Sequence, residues 1–216
     1  VELLSREMTR DLQAIRAGAA AAARHDGHPV TAALISKGVS FGTVTVDPAG
    51  FVDVSGIAGI DHALIVRPFS QKGVFTSLRQ FTINALNQHS GMEADERFGA
   101  RWTGTDDFDG DGVAHEISVG DVTALVAFQA TLPMPVQVLP ADPARHDAAQ
   151  RGETLFAGIG CGTCHVPALP LDSALFADPG PYDAAGTLNG AGVARPLVID
   201  LARLPWAAGL ARDSQG

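Results

Sequence analysis

The stretch Cys161-Gly162-Thr163-Cys164-His165 decides how the rest of the chain is interpreted. Two thiols with the C-x-x-C spacing can each add across one vinyl group of haem, and the histidine that follows is placed to ligate the iron. A thioredoxin-like site requires a βαβ setting that is not visible here, and a structural zinc site requires four N or S ligands. We therefore predict covalent haem c, attached at Cys161 and Cys164, with His165 as an axial ligand.

The residues on either side of this motif predict a haem domain. A helix over Arg145–Gly160 leads into the motif, and its apolar face consists of Ala148, Gly152, Leu155 and Phe156. Prolines between residues 138 and 143 indicate a linker before it. We expect two regions, residues 1–140 and a cytochrome c-like haem domain over residues 141–216, complete or truncated. Residues 166–181 are expected to form an irregular loop around the cofactor.

Hydrophobic periodicity in the first region predicts helices and one hairpin. Val39–Val54 alternates around the turn Asp47-Pro48-Ala49-Gly50, and Leu64–Val66 is a candidate third strand. Apolar residues recur every three or four positions in three further segments, Glu2–Ala23, Ser77–Ser90 and Ser118–Leu132. The predicted fold class is therefore mainly α with a small β-hairpin, in which a cytochrome c-like haem domain follows a helical region.

A run of alternating carboxylates predicts a calcium site. Asp107, Asp109 and Asp111 stand at positions 1, 3 and 5 of a loop, with Gly110 and Gly112 between and after them. Their mutual repulsion requires a hard cation with about six to eight oxygen ligands. The carbonyl of Val113 and the carboxylate of Glu116 are the expected remaining ligands. Glu116 stands two positions too early for an EF-hand, so the loop is of a calcium type without being an EF-hand.

Charge and hydropathy exclude two classes of partner. The formal net charge of −9 argues against a nucleic-acid-binding surface, which would be basic. No apolar run approaches the length of a membrane span. The chain begins at Val1 without a signal peptide, which leads us to expect a processed or trimmed chain.

Several motifs in one order resemble the di-haem oxidoreductases, a family of peroxidase-like proteins similar to bacterial di-haem cytochrome c peroxidases. The resemblance extends over roughly residues 60 to 170. It rests on Ile65-Val66-Arg67-Pro68-Phe69-Ser70-Gln71-Lys72-Gly73, Ala85–Met92, Asp107–Glu116, Gly120–Pro133 and Gly160–Pro167. It implies an oxidoreductase that reduces peroxide or oxidises a partner, with haem c, calcium, an electron-donor protein or second haem domain, and a periplasmic location.

Two features of the chain bear on that resemblance. Family members carry two C-x-x-C-H motifs and this chain has one, so a second haem domain is expected to precede Val1, or the protein is a mono-haem derivative. No Met or His follows His165, although small cytochromes c take a downstream Met as sixth ligand. The sixth position is therefore open to peroxide or filled by another residue. The candidates are Tyr182, Met92, His89, His115, Met134 and a residue beyond Gly216.

Two functions follow, and the missing downstream Met separates them. The first is a haem c oxidoreductase of the di-haem peroxidase type, which an open iron favours. The second is a non-catalytic c-type cytochrome module for electron transfer, which requires a low-spin haem with two protein ligands. A remoter third is a binding or scaffold fragment whose motif never receives haem.

Overall fold

The computed structural model describes residues 1–135, 137–183, 196–205 and 207. Helices and two antiparallel sheets alternate along these residues. The helices are α1 Glu2–Asp26, α2 Leu78–Ser90, α3 Asp95–Phe98, α4 Ala100–Thr103, α5 Val119–Ala130 and α6 Pro143–Gly158. The strands are β1 Val30–Ser36, β2 Val39–Val46, β3 Val52–Asp53, β4 Leu175–Asp178 and β5 Leu197–Asp200.

The chain divides into two compact units. The core unit comprises Val1–Leu132 and the described residues from Leu171 onward. The motif unit comprises Pro133–Pro170 and contains α6 and the C-x-x-C-H motif. The motif unit is thus inserted in sequence between two parts of the core unit. The sequence predicted a different division, into residues 1–140 and a haem-binding domain over residues 141–216. That division is defined by haem binding and stays a prediction.

The first part of the core unit is a sheet covered by a long helix. Strands β1, β2 and β3 pair antiparallel in that order, and α1 packs on them. Helix α1 ends at Gly27, whose φ of 72° is the left-handed conformation that glycine adopts without steric cost. The apolar faces meet in a cluster formed by Leu12, Ala19, Leu34, Val44, Val46 and Leu64.

The second part of the core unit joins α2, α5 and β4. Ser77 caps the start of α2 by accepting from the Gln80 N–H, and Gly91 ends it with a φ of 69°. Helix α5 begins with a capping box in which Ser118 and Asp121 satisfy each other's backbone N–H. The buried cluster between these elements consists of Ile83, Ala94, Ile117, Val122, Val126 and Phe176.

One buried arginine joins four of these elements. The Arg79 side chain in α2 is 0% exposed and donates from Nε to both carboxylate oxygens of Glu96 in α3, at 2.8 and 3.0 Å. Its Nη1 donates to Asp178 Oδ2 in β4 at 2.6 Å and to Thr123 Oγ1 in α5 at 3.0 Å. Burial raises the pKa of Glu96 and of Asp178, against the opposing charge of Arg79.

The fold class predicted from the sequence is wrong. Two small antiparallel sheets stand beside the helices, so the protein is of mixed α/β class and not mainly α with one hairpin. The described residues after 140 also show no cytochrome c-like haem domain. Residues Leu175–Asp178, expected in an irregular loop, form β4 because Phe176 and Asp178 point into the core unit and are buried there.

Local predictions had mixed outcomes. The helices near the predicted positions are confirmed as α1, α2, α5 and α6, and the hairpin is confirmed as β2 and β3. The third strand at Leu64–Val66 is wrong, because Leu64 has a φ of 60°, which breaks an extended chain. Strand β1 was missed, although it pairs with β2 along most of its length.

We expect Arg79→Met to lower the free energy of unfolding by about 3–5 kcal/mol, because it leaves two buried carboxylates without their cation. Urea unfolding followed by circular dichroism at pH 7 measures the change. Arg24→Met, at an exposed position in the last turn of α1, is the matched control and should stay within about 0.5 kcal/mol of the original protein. Equal midpoints for the two variants would contradict a central role for Arg79.

Candidate functional site

The C-x-x-C-H motif lies on a tight turn directly after α6. Gly160 has a φ of 90° and reverses the chain between the helix and a 3₁₀ turn at Cys161–Thr163. The His165 N–H donates to the Cys161 carbonyl at 2.9 Å, and the Cys164 N–H donates to the same oxygen at 3.2 Å. Both thiols are free, with Cys161 half-buried and Cys164 exposed. One backbone turn therefore carries both thiols and the imidazole.

Several apolar side chains next to that turn are exposed to solvent. Leu155 is 62% exposed and Ile159 is 73% exposed, and Phe156 and Val166 are also exposed. The ring centroids of Phe156 and His165 are 5.7 Å apart, and the two ring planes make an angle of 61°. The predicted apolar face of α6 exists, and none of the side chains of α6 is buried.

The described residues of the motif unit contain no buried side chain at all. A segment of this size buries too little apolar surface to fold stably by itself, and small units of this kind depend on a cofactor, a metal, disulfides or a partner. Its two cysteines form no disulfide. A flat apolar cofactor such as haem, bound through the two thiols and His165, would supply the missing core, so the residues present fit haem c.

The predicted sixth ligands lie in the core unit, except Met134. Met92 is half-buried and packs against the cluster around Ile83. His89 is exposed in the last turn of α2. Tyr182 is half-buried, and its carbonyl accepts from Thr76 Oγ1 at 2.8 Å. Ligation of iron by Tyr182, Met92 or His89 stays a prediction.

The acidic loop brings its three aspartates together. One carboxylate oxygen from each of Asp107, Asp109 and Asp111 lies within 4.8 Å of the others. Backbone N–H groups orient these side chains, since Asp107 accepts from Gly110 at 2.8 Å and Asp111 accepts from Val113 at 2.7 Å. Three converging carboxylates have the chemistry of a calcium site, and carboxylate repulsion opposes the same geometry when no cation is bound.

Glu116 plays a different part from the one expected of a closing ligand. It is not a member of the group of converging carboxylates, and its carboxylate accepts a hydrogen bond from the Glu93 N–H. The buried Glu93 carboxylate in turn accepts from the Phe108 N–H inside the loop at 3.0 Å. Through these two hydrogen bonds, Glu116 and Glu93 connect the loop to the segment that follows α2. Ligation by Glu116 and by the Val113 carbonyl stays a prediction.

His115 is tied to the same region by charge. Its Nδ1 lies 3.0 Å from Asp95 Oδ1, and its Nε2 lies 3.7 Å from Asp106 Oδ2. The hydrogen bond to Asp95, together with the charges of Asp95 and Asp106, raises the pKa of His115. This geometry makes His115 a partner of carboxylates in the core unit.

Sequence reasoning missed Glu93, which connects the acidic loop to the segment after α2. The short acidic run Glu93-Ala94-Asp95-Glu96 gave no periodic signal. Its backbone pairs with Ile117, two residues before α5, since Ala94 bridges Ile117 and the Asp95 N–H donates to the Ile117 carbonyl at 3.0 Å. Only this pairing of distant segments reveals that the two acidic stretches act together.

Comparison with known proteins gives no relative: no family model, no curated protein and no solved structure matches the chain. Among the described residues, no helix combines the length and apolar character that crossing a membrane requires. The chemistry of the two sites therefore carries the functional inference.

We expect the full chain to bind Ca²⁺ at the aspartate group and Asp109→Asn to weaken binding about tenfold or more, because one of three converging charges is lost. Isothermal titration calorimetry with CaCl₂ measures the Kd. At a Ca²⁺ concentration about a hundred times the Kd, unfolding should also require about 2.7 kcal/mol more free energy.

Asp106→Asn is the matched control for this titration. It removes the same charge from the same loop, but Asp106 lies outside the converging group and accepts from the Ala100 N–H at 2.9 Å. Its Kd should remain close to that of the original protein. An equal loss of affinity in the two variants would mean that calcium is attracted by the overall negative charge of the loop and is not bound specifically by the three aspartates.

Proposed function

We propose that this chain is a haem c oxidoreductase of the di-haem peroxidase type, which reduces peroxide or oxidises a partner with electrons relayed through haem. The observation that carries the proposal is the motif unit, where Cys161, Cys164 and His165 share one turn and no described side chain is buried. A unit that offers attachment chemistry for haem and has no core of its own fits a segment whose core the cofactor would supply.

Haem c supplies an iron that cycles between two oxidation states and that reacts with peroxide when its sixth position is open. Reduction of one hydrogen peroxide to two waters consumes two electrons and two protons, and we assign the electrons to a donor protein or a second haem domain. The residues of this chain have three tasks. The thiols of Cys161 and Cys164 anchor the macrocycle, and His165 ligates its iron. Leu155, Phe156 and Ile159 exclude water from its face.

The aspartate loop supports the same proposal in a structural role. We assign it a calcium ion held by Asp107, Asp109 and Asp111, with the Val113 carbonyl and Glu116 as the further predicted ligands. The loop lies between α4 and α5, and Glu93 and Glu116 connect it to the segment that carries Glu96. Calcium would stiffen this part of the core unit. The periplasmic location follows from haem attachment and belongs to the proposal.

We expect the chain to acquire covalent haem when it is produced together with haem-attachment machinery. The pyridine haemochrome spectrum of the denatured protein reports the thioether bonds, and Cys161→Ser with Cys164→Ser should lose them entirely. Thr163→Ala, between the two cysteines, is the matched control and should load normally. A chain without a Soret band would contradict the haem proposal.

The spectrum of the loaded protein separates the enzyme from an electron-transfer module. A high-spin ferric signal in the EPR spectrum that changes on addition of peroxide supports the peroxidase. A purely low-spin haem that does not respond to peroxide would contradict the peroxidase and favour the non-catalytic c-type cytochrome.

Haem loading should also protect the motif unit from protease. Arg145 and Arg151 are exposed in α6, so trypsin should cut the haem-free chain there. Covering the apolar face should slow cleavage about tenfold or more, which corresponds to about 1.4 kcal/mol of local stabilisation. Mass spectrometry of timed digests locates the cuts. Identical cleavage rates at both arginines in the two forms would show that haem does not order this unit.

A further inference from the structure

A second site lies in the core unit, outside both the haem motif and the aspartate loop. A cavity of about 340 Å³ opens between β2 and the segment from Gly59 to Gly73. This volume is within the range of small-molecule sites. Phe41, Ile60 and Ile65 supply apolar wall, and Arg67, Lys72 and Asp61 supply the charged groups.

The segment that forms the mouth is held in a tight, unusual conformation. Ser70 and Lys72 have φ values of 65° and 67°, a backbone conformation that residues with a Cβ rarely adopt. The Gly73 N–H donates to the Ser70 carbonyl at 3.2 Å, and a Cβ on Gly73 would lie 2.7 Å from the Arg67 carbonyl oxygen. This close approach brings Lys72 and Arg67 to the same cavity. Residues held in such conformations cluster at binding sites.

The charges at the cavity do not balance. Asp61 is fully engaged, since its Oδ1 accepts from the Ala63 N–H at 3.0 Å and from the Ile65 N–H at 3.3 Å, and its Oδ2 pairs with Arg67. Within the described part of the chain, Asp61 is the one side-chain partner of Arg67, and Lys72 has none. One positive charge is therefore left over, in a chain whose net charge is −9.

Arg67 differs from an ordinary surface cation. Its side chain is 31% exposed, so most of it is withdrawn from water, and its planar fork has further N–H donors beyond the one that meets Asp61. A structural ion pair explains Arg67 and Asp61. It does not explain why Lys72, an exposed lysine without a side-chain partner among the described residues, also lines the same cavity.

We propose that this cavity binds a small organic anion, a carboxylate on an apolar body. Phe41, Ile60 and Ile65 bury the apolar body, and Arg67 and Lys72 bind the carboxylate at the mouth. A neutral molecule of the same shape gains only the apolar contacts, and a cation is repelled by the excess positive charge. The site is independent of haem, and its success or failure does not bear on the haem proposal.

The probe is 1-naphthoate, with 1-naphthalenemethanol as the neutral analogue of similar shape. Isothermal titration calorimetry on the full chain gives both affinities. We expect 1-naphthoate to bind more tightly than the alcohol, and Lys72→Gln to weaken the binding of 1-naphthoate about two- to fivefold without changing that of the alcohol. Ile65→Ala should weaken both, because it removes apolar wall.

Arg24→Gln is the matched control, since it removes one positive charge at an exposed position that does not line the cavity. It should leave both affinities unchanged, and circular dichroism confirms that each variant is folded. Equal affinity for the anion and the alcohol would overturn the proposal. So would equal effects of Lys72→Gln and Arg24→Gln, or no binding of 1-naphthoate at millimolar concentration.

Discussion

The core unit depends on a single guanidinium. Arg79 binds α3 through Glu96, β4 through Asp178 and α5 through Thr123, and it does so where water is excluded. Loss of water around the buried carboxylates raises the pKa of both acids, and the charge of Arg79 opposes that rise. Removal of the cation is strongly destabilising, because the two acids cannot rehydrate without opening the structure.

Local patterns were predicted from the sequence because they are local. The apolar spacing along α1, α2 and α5 depends on residues within a few positions of one another. The pairing of β1 with β2 and of β4 with β5 depends on segments that no short window contains. Arg79 carried no signal of burial, since an arginine in a helix is usually on the surface.

The two candidate sites show the same division. The cysteines and His165, like the three aspartates, are neighbours in sequence, so they could be identified as candidate sites without a fold. The aspartate loop is also held by Glu93, whose carboxylate accepts a hydrogen bond from the N–H of Phe108, 15 residues further along the chain. The cavity beside Arg67 also depends on Phe41 in β2, which lies 26 residues earlier in the chain. The members of a short motif can be identified from the sequence, whereas the distant residues that position them cannot.

The insertion of the motif unit within the core unit has a consequence for the order in which this protein is made. Arg79 and its partner Asp178 are 99 residues apart, and the C-x-x-C-H motif lies between them. A chain synthesised or exported from its N-terminus therefore releases both cysteines before β4 exists to complete the core unit. An enzyme that modified the thiols during that interval would act on a chain whose core unit is incomplete.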